Sequence, residues 1–320
     1  MISAKHLKKI YKTHIRQNNI FLDVFHRAFK EHIAVDDVSF EIAENELVGF
    51  IGTNGAGKTT TLKMLAGILH TTAGEVRVFG VDPFLKSHSF LMQIAFVMGQ
   101  RNQLIWDLPA SDSFILQKTI YEIEESEYKK TLSHLADILS CEKLIEKPVK
   151  TLSLGERMKM ELIAGLLHRP KLVFFDEPTI GLDIFSQEAI REFIREYQQT
   201  YRATVILTSH YLEDVKQLAK RLIIINKGRI LYDDTLNTII ERYSKAKQIR
   251  ITLSKPIPLA EIKKIKTPVS FVFPQIVFTA SPAEIPEMIK KISVSLPFSD
   301  LTVEDESIEE IIKTFFEQQK

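Results

Sequence analysis

Residues 52–60 read GTNGAGKTT. The stretch fits G-x-x-x-x-G-K-[ST], in which a glycine-rich turn wraps its backbone N–H groups around a polyphosphate. Gly52, Gly55 and Gly57 allow positive φ angles and a close main-chain approach that a side chain would block. Thr53, Asn54, Ala56 and Thr60 complete the loop. Lys58 is placed to reach the β- and γ-phosphates, and the Thr59 hydroxyl to ligate Mg²⁺. Upstream, 47–51 (LVGFI) reads as a short buried strand; downstream, Leu62, Leu65, Ala66 and Leu69 recur at helical spacing. Strand, loop and helix in that order aim a helix N-terminus at an anion. The pattern predicts a nucleoside triphosphate site; the plain alternative is a glycine-rich turn between strand and helix.

A phosphate loop needs an acidic element to complete its metal site. Residues 172–175 (LVFF) form an apolar run that ends in Asp176 and Glu177. Asp176 then stands at the end of a buried strand, where it can hold Mg²⁺ through water. Glu177 is suited to take a proton from an attacking water. A solvated strand end is the bland alternative for the pair.

The composition is that of a globular protein: 320 residues, 45% hydrophobic, 26% charged, net charge +1. Length suits one large domain plus a smaller one, or two of ordinary size. The balance gives no global attraction to nucleic acid or anionic membrane. One cysteine, Cys141, excludes an intrachain disulfide and a cysteine-rich metal site, and a cytosolic setting is the default. No apolar run approaches the roughly 20 residues that span a bilayer, and the charged opening MISAKHLKKIYK lacks a signal-peptide core.

Along the chain, residues 2–10 have a weak strand pattern ending at Tyr11. In 13–32, Ile20, Phe21, Val24, Phe25, Ala28 and Phe29 fall on one side of a helix, which predicts a helical insert packed on its own domain or lying on a membrane or partner. Strands are expected at 34–42, 74–79, 94–98 and 204–208, with a hairpin around 226–228. Helices are expected within about 101–165 and at 184–198 and 211–220. Short apolar strands alternating with helices imply a parallel sheet covered on both faces. Beyond residue 245, four strand candidates and two capping-box patterns, at Ser281 and Ser307, predict a small α+β domain with no recognisable chemistry.

The chain resembles the ATP-binding-cassette (ABC) ATPases. The resemblance rests on GTNGAGKTT, Gln100 after a buried strand, LSLGE at 152–156, LVFFDEP, the segment TIGLD at 179–183, and Ser209-His210, in that order over about residues 1–240. It is closer to the nucleotide-binding subunits of type-2 exporters, given the extra insert and the phrase DEPTIGLD. The resemblance implies an α/β P-loop NTPase cassette with a parallel sheet core, an antiparallel β part and a helical subdomain, plus the C-terminal domain at 245–320. It further implies that Tyr11 stacks on adenine, Gln100 touches Mg²⁺ or water and relays nucleotide state, and His210 contacts the γ-phosphate. Asp183 would couple two sites across a dimer. Ser153, Gly155 and Glu156 would act on the partner's ATP, so two ATP molecules lie between two cassettes; the complete motif set makes a homodimer of this chain self-sufficient, and a different second cassette is the alternative. Leu154 and Glu156 depart from the common LSGGQ pattern.

One cassette without a membrane span implies a separate integral membrane permease, with the subunit held at the cytoplasmic face through it. Leu104, Ile105 and Trp106 are the candidate docking surface; packing inside the helical subdomain is the alternative. Two other functions compete: a soluble cassette ATPase acting on nucleic acid or ribosomes, and a regulatory subunit with little hydrolysis. The first usually carries two cassettes, a coiled-coil insert or zinc-binding cysteines; the second does not need Lys58, Asp176, Glu177 and His210 intact.

Overall fold

The computed structural model describes residues 1–15, 28–99, 103–209, 211–243, 246–306, 310–312 and 315. The chain divides into two units, Met1–Asp234 and Thr235–Lys320.

In the first unit, β1 (Ile2–Ile15), β2 (Ala28–Ile42) and β4 (Ala73–Val78) form an antiparallel sheet in the order β2-β1-β4. A second sheet combines β3 (Leu47–Ile51), β5 (Ile94–Met98), β6 (Leu172–Asp176), β7 (Thr204–Thr208), β8 (Arg221–Asn226) and β9 (Arg229–Thr235) in the order β5-β6-β7-β3-β8-β9. Its pairs from β5 through β8 are parallel. The helices are α1 (Lys58–Leu65), the one-turn α2 (His88–Leu91), α3 (Ala110–Ile120), α4 (Glu125–Leu139), α5 (Leu154–Leu166), α6 (Ile184–Tyr201) and α7 (Leu212–Leu218).

The apolar runs in β6 and β7 have no alternation because both faces of the sheet are covered. Leu172, Phe174 and Ile206 enter one core with Phe50, Leu62 and Phe40, between the two sheets and α1. Val173, Phe175, Val205 and Leu207 enter the other, with Phe114, Leu135, Ile163 and Phe193 of the helices. Leu135 and Leu139 place the buried stripe of α4, as the helical spacing predicts.

The described ends of the insert depart from expectation. The segments 13–15 and 28–32 are strand, not helix: β1 runs past Tyr11 to Ile15, and Thr13, His14 and Ile15 pair with Lys30, Phe29 and Ala28. Lys12 and Glu31 form an ion pair across the ribbon at 3.1 Å. Tyr11, Lys12, Thr13, Glu31, His32 and Ile33 are all exposed, so both faces meet solvent and no period-two pattern is written in the sequence. The remaining insert residues, 16–27, lie outside the described residues.

The second unit contains α8 (Leu236–Tyr243), α9 (Leu259–Lys263), α10 (Ile285–Ser295) and an antiparallel sheet. Its strands are β10 (Lys247–Leu253), β11 (Ser270–Val272), β12 (Gln275–Ala280) and β13 (Phe298–Asp305), in the order β11-β12-β10-β13. Ile249, Ile251, Ile276 and Phe278 build its core with Met288 and Ile292 of α10. That helix starts one turn later than the Ser281 capping pattern suggests. Pro286 therefore sits in the first turn, where its missing N–H costs nothing, and Glu284 accepts from the Ser281 N–H at 3.0 Å. Ser307, the second expected cap, lies outside the described residues.

Candidate functional site

The loop 52–57 crosses from β3 to α1 with almost no room to spare. A Cβ on Gly52 would lie 2.2 Å from the Ile225 carbonyl, and Gly57 adopts φ 108°, where a Cβ would lie 2.5 Å from the Ala34 carbonyl. Gly57 is the N-cap of α1 and supplies no side chain, so the first N–H groups of that helix remain free for an anion. The hairpin turn between β8 and β9 supports the loop from outside: Gly228 N–H donates to the Ala56 carbonyl at 2.9 Å, and Asp36 N–H to Gly228 at 2.8 Å.

Lys58 is buried, and its ammonium donates to the Gly52 and Thr53 carbonyls at 2.8 and 3.3 Å. Burial lowers its pKa, and the facing carboxylates Glu177 and Asp176 oppose that shift. An ammonium folded back on its own loop is a stored cation that an arriving polyphosphate can engage.

Asp176 ends β6 beside the loop. Its Oδ1 accepts from Thr59 at 3.0 Å and from Thr208, at the end of β7, at 2.7 Å. Thr208 also receives the Glu177 N–H, at 3.1 Å to both its carbonyl and its hydroxyl. Glu177 has φ 57°, and Gly99 packs so close that a Cβ there would lie 2.1 Å from the Glu177 carbonyl. These contacts fix the turn that carries Glu177. Hydroxyl and carboxylate oxygens gathered at the phosphate loop are the ligands a hard divalent cation prefers.

A cleft of about 220 Å³ joins Tyr11, His32, Asn54, Lys58, Thr59 and Glu177. Tyr11 pairs directly across the ribbon with His32, and Lys9 lies 5.5 Å from the Tyr11 ring centre. His32 escaped the sequence reading because it fell inside the segment read as a helix. A larger cleft of about 540 Å³, lined in part by Glu46, Arg195, Lys216 and Arg221, carries none of the motif residues. Gln100 and His210 lie outside the described residues.

Ser153, Gly155 and Glu156 do not line the 220 Å³ cleft. Ser153 caps α5 and forms a full capping box with Glu156: Glu156 N–H donates to Ser153 Oγ at 3.2 Å, and Ser153 N–H to Glu156 Oε2 at 2.8 Å. Those bonds hold the Glu156 carboxyl below its usual pKa. Gly155 is packed on the first turn of α6, where a Cβ would lie 2.4 Å from Ser186 Oγ. Asp183 caps that helix through the Ser186 N–H (3.0 Å) and Oγ–H (2.6 Å), which lower its pKa. The structure thus brings Gly155 and Asp183 together on one face.

Of the candidate docking residues, Leu104 is buried in the helical core, whereas Ile105 and Trp106 are exposed. Glu161 of α5 fixes this segment: its buried carboxylate accepts the Gln103 N–H at 2.9 Å, and burial raises its pKa to about 6. No helix among the described residues is long and apolar enough to cross a membrane.

The family model described as "ABC transporter" matches residues 35–180. The chain is 32% identical to the ABC transporter ATP-binding protein NatA of Bacillus subtilis, over 65% of this chain and 84% of that protein. It is 27% identical to the bacitracin transport ATP-binding protein BcrA of Bacillus licheniformis, over 68% and 70%. A solved ATP-binding subunit of an ABC transporter superposes with a TM-score of 0.62 at 24% identity, covering 76% of this chain and 92% of that one. The dimeric cassette MJ0796, solved in a post-hydrolysis state with ADP and Pi, superposes with a TM-score of 0.61 at 21% identity, over 74% and 99%.

Proposed function

This chain belongs to the ABC transporter family as an ATP-binding subunit, and from that premise we propose that it hydrolyses Mg-ATP in the cleft between the phosphate loop and Glu177. It does so when closed head to tail on a second copy of itself, and it drives a separate membrane permease of the exporter kind. The observation that carries the reading is the convergence of Thr59 and Thr208 on Asp176 Oδ1 beside buried Lys58. Loop, lysine, hydroxyl–carboxylate cluster and acid meet at the ends of β3, β6 and β7.

Tyr11 stacks on adenine, with His32 alongside. The backbone of 52–60 cradles the phosphates, and Lys58 leaves the Gly52 carbonyl for the β- and γ-phosphates. Thr59 and Asp176, with Gln100, would hold Mg²⁺, which when bound would offset charge on the phosphate oxygens. Glu177 accepts the proton of the attacking water, and His210 steadies the γ-phosphate. Ser153, Gly155, Glu156 and Asp183 face the partner's ATP. ATP favours the closed pair and hydrolysis releases it, so the permease is driven by a change in the population of two states. Exposed Ile105 and Trp106 are the docking surface, and the subunit is held at the cytoplasmic face of the membrane through the permease. The names of NatA and BcrA support a transport role.

Lys58→Ala and Glu177→Gln together test the assignment. The first is expected to lose binding of a fluorescent ATP analogue; the second is expected to keep binding and lose turnover. Retained binding in Lys58→Ala, or retained turnover in Glu177→Gln, would contradict it.

A further inference from the structure

Asp214, on α7, is fully buried, and among the described residues the hydrogen bonds to its carboxylate come from three segments with different tasks. Its Oδ2 accepts from Thr179 and from Ser209, both at 2.5 Å. Its Oδ1 accepts from Arg191 Nη1 at 2.8 Å. Thr179 lies in the turn between Glu177 and Asp183. Ser209 directly precedes His210, and its hydroxyl also receives the Tyr211 N–H at 2.9 Å. Arg191 lies on α6, is itself buried, and is held by Glu188 at 2.6 Å.

We propose that the Asp214–Arg191 pair is a strut that sets the loop carrying His210, and the turn carrying Glu177, against α6, and so links a chain's own ATP to the face it presents to its partner. This inference rests on the two-cassette reading above. The far end of the strut is physical. Arg191 stands five residues beyond Ser186, about 7.5 Å along a helix, and Ser186 is where Asp183 caps α6 and where Gly155 packs. A displacement of the His210 loop on γ-phosphate loss therefore has a stiff route to Gly155 and Asp183. Buried charged networks of this kind are costly to leave half-satisfied, so the parts move together or not at all.

These are positioning residues, and Asp214→Asn would take from Arg191 its buried charge partner and leave it only the more exposed Glu188. Gentler variants keep the ion pair. Thr179→Val keeps shape and removes the hydroxyl, Thr179→Ser keeps the hydroxyl and removes a methyl, and Ser209→Ala cuts the link next to His210. The experiment is steady-state ATPase of the full-length chain against ATP and against protein concentration, with binding of a fluorescent ATP analogue measured in parallel.

Thr179→Val and Ser209→Ala are expected to lower kcat about tenfold, the equivalent of one hydrogen bond to a charged group. Their Hill coefficients should fall toward one with analogue affinity within about twofold of wild type, and Thr179→Ser should remain near wild type. A Thr179→Ser variant as impaired as Thr179→Val would show that packing, not the hydroxyl, matters, and would overturn the strut. Wild-type kcat and cooperativity in Ser209→Ala would also overturn it. If wild-type specific activity does not rise with protein concentration, the two-cassette reading fails and takes the strut with it. If it does rise while Thr179→Val and Ser209→Ala behave as wild type, the strut alone fails.

Discussion

At the cleft and the strand ends behind it, Lys58, Thr59, Asp176 and Thr208 come from separate strands and a helix, and the bond that closes the set, Thr59 to Asp176, joins residues 117 positions apart. At the face bearing Ser153 and Asp183, the caps are local: Ser153 with Glu156 and Asp183 with Ser186, each three positions apart. The cleft hides its cation at 5% exposure, while Ser153 and Asp183 are exposed. One region is held by tertiary contacts around a cleft of about 220 Å³. The other is two capped helix ends pressed together through Gly155 and left open to solvent. The contrast separates the residues that the proposed function assigns to the chain's own ATP from those it assigns to the partner's.

Substitutions that divide the two regions sharpen this contrast, and the largest effect belongs to the cleft. Glu177→Gln should lower the ATPase rate on the order of 10²–10⁴-fold while ATP binding persists, as removal of a general base does. A loss of less than tenfold would place the base elsewhere. Gly155→Ala comes next. Its methyl would sit 2.4 Å from Ser186 Oγ, so α5 and α6 must part; a destabilisation of about 1–3 kcal/mol is expected from overpacking. Turnover should fall while affinity for a fluorescent ATP analogue is kept. If affinity fell in step with rate, Gly155 would belong to the chain's own site and the contrast would collapse.

Thr208→Val removes one of the two hydroxyl donors to Asp176 and is expected to cost about 1.5–3 kcal/mol, the range for hydrogen bonds to charged groups, measured by urea unfolding. Ser153→Ala should cost less, about 1 kcal/mol for a lost N-cap. If Ser153→Ala proved the more destabilising of the two, local capping would outweigh the tertiary bonds and the ordering of the regions would be wrong.

Local regularity was legible from the residues, and tertiary meeting points were not. The strand–loop–helix around 52–60 was readable because glycine spacing and apolar period are local properties. Asp176 and Glu177 could be named because an apolar run ends at them. Thr208 and Asp214 could not. A threonine at a strand end and an aspartate on a short helix carry no pattern, and their roles arise only when β6, β7 and α6 are adjacent. At 13–15 and 28–32 the reading failed for the opposite reason: helical spacing was extended over the ends of a solvent-exposed ribbon whose pairing is written in backbone hydrogen bonds rather than in burial. Leu104 failed likewise, since exposure was inferred from a loop that Glu161 draws inward.

A pH-dependent effect concerns that same joint. Burial raises the Glu161 pKa to about 6 in the fold, so the folded state holds the proton more tightly than the unfolded chain. The charged form therefore weakens the fold: the penalty is absent below about pH 4.5, grows as pH rises, and is complete above about pH 6. Stability of wild type relative to Glu161→Gln should decline by about 2 kcal/mol between pH 4 and pH 7. A flat difference would mean that Glu161 is not buried as described.

The central claim is that the cleft residues and the face bearing Ser153 and Asp183 serve one ATP between two copies of the chain. Light scattering of Glu177→Gln with and without Mg²⁺-ATP tests it most directly. The account predicts a monomer that becomes a dimer only when ATP is present, because the substitution keeps the shape of the site and removes the group that lets ATP go. A chain that binds ATP and stays monomeric would contradict self-pairing.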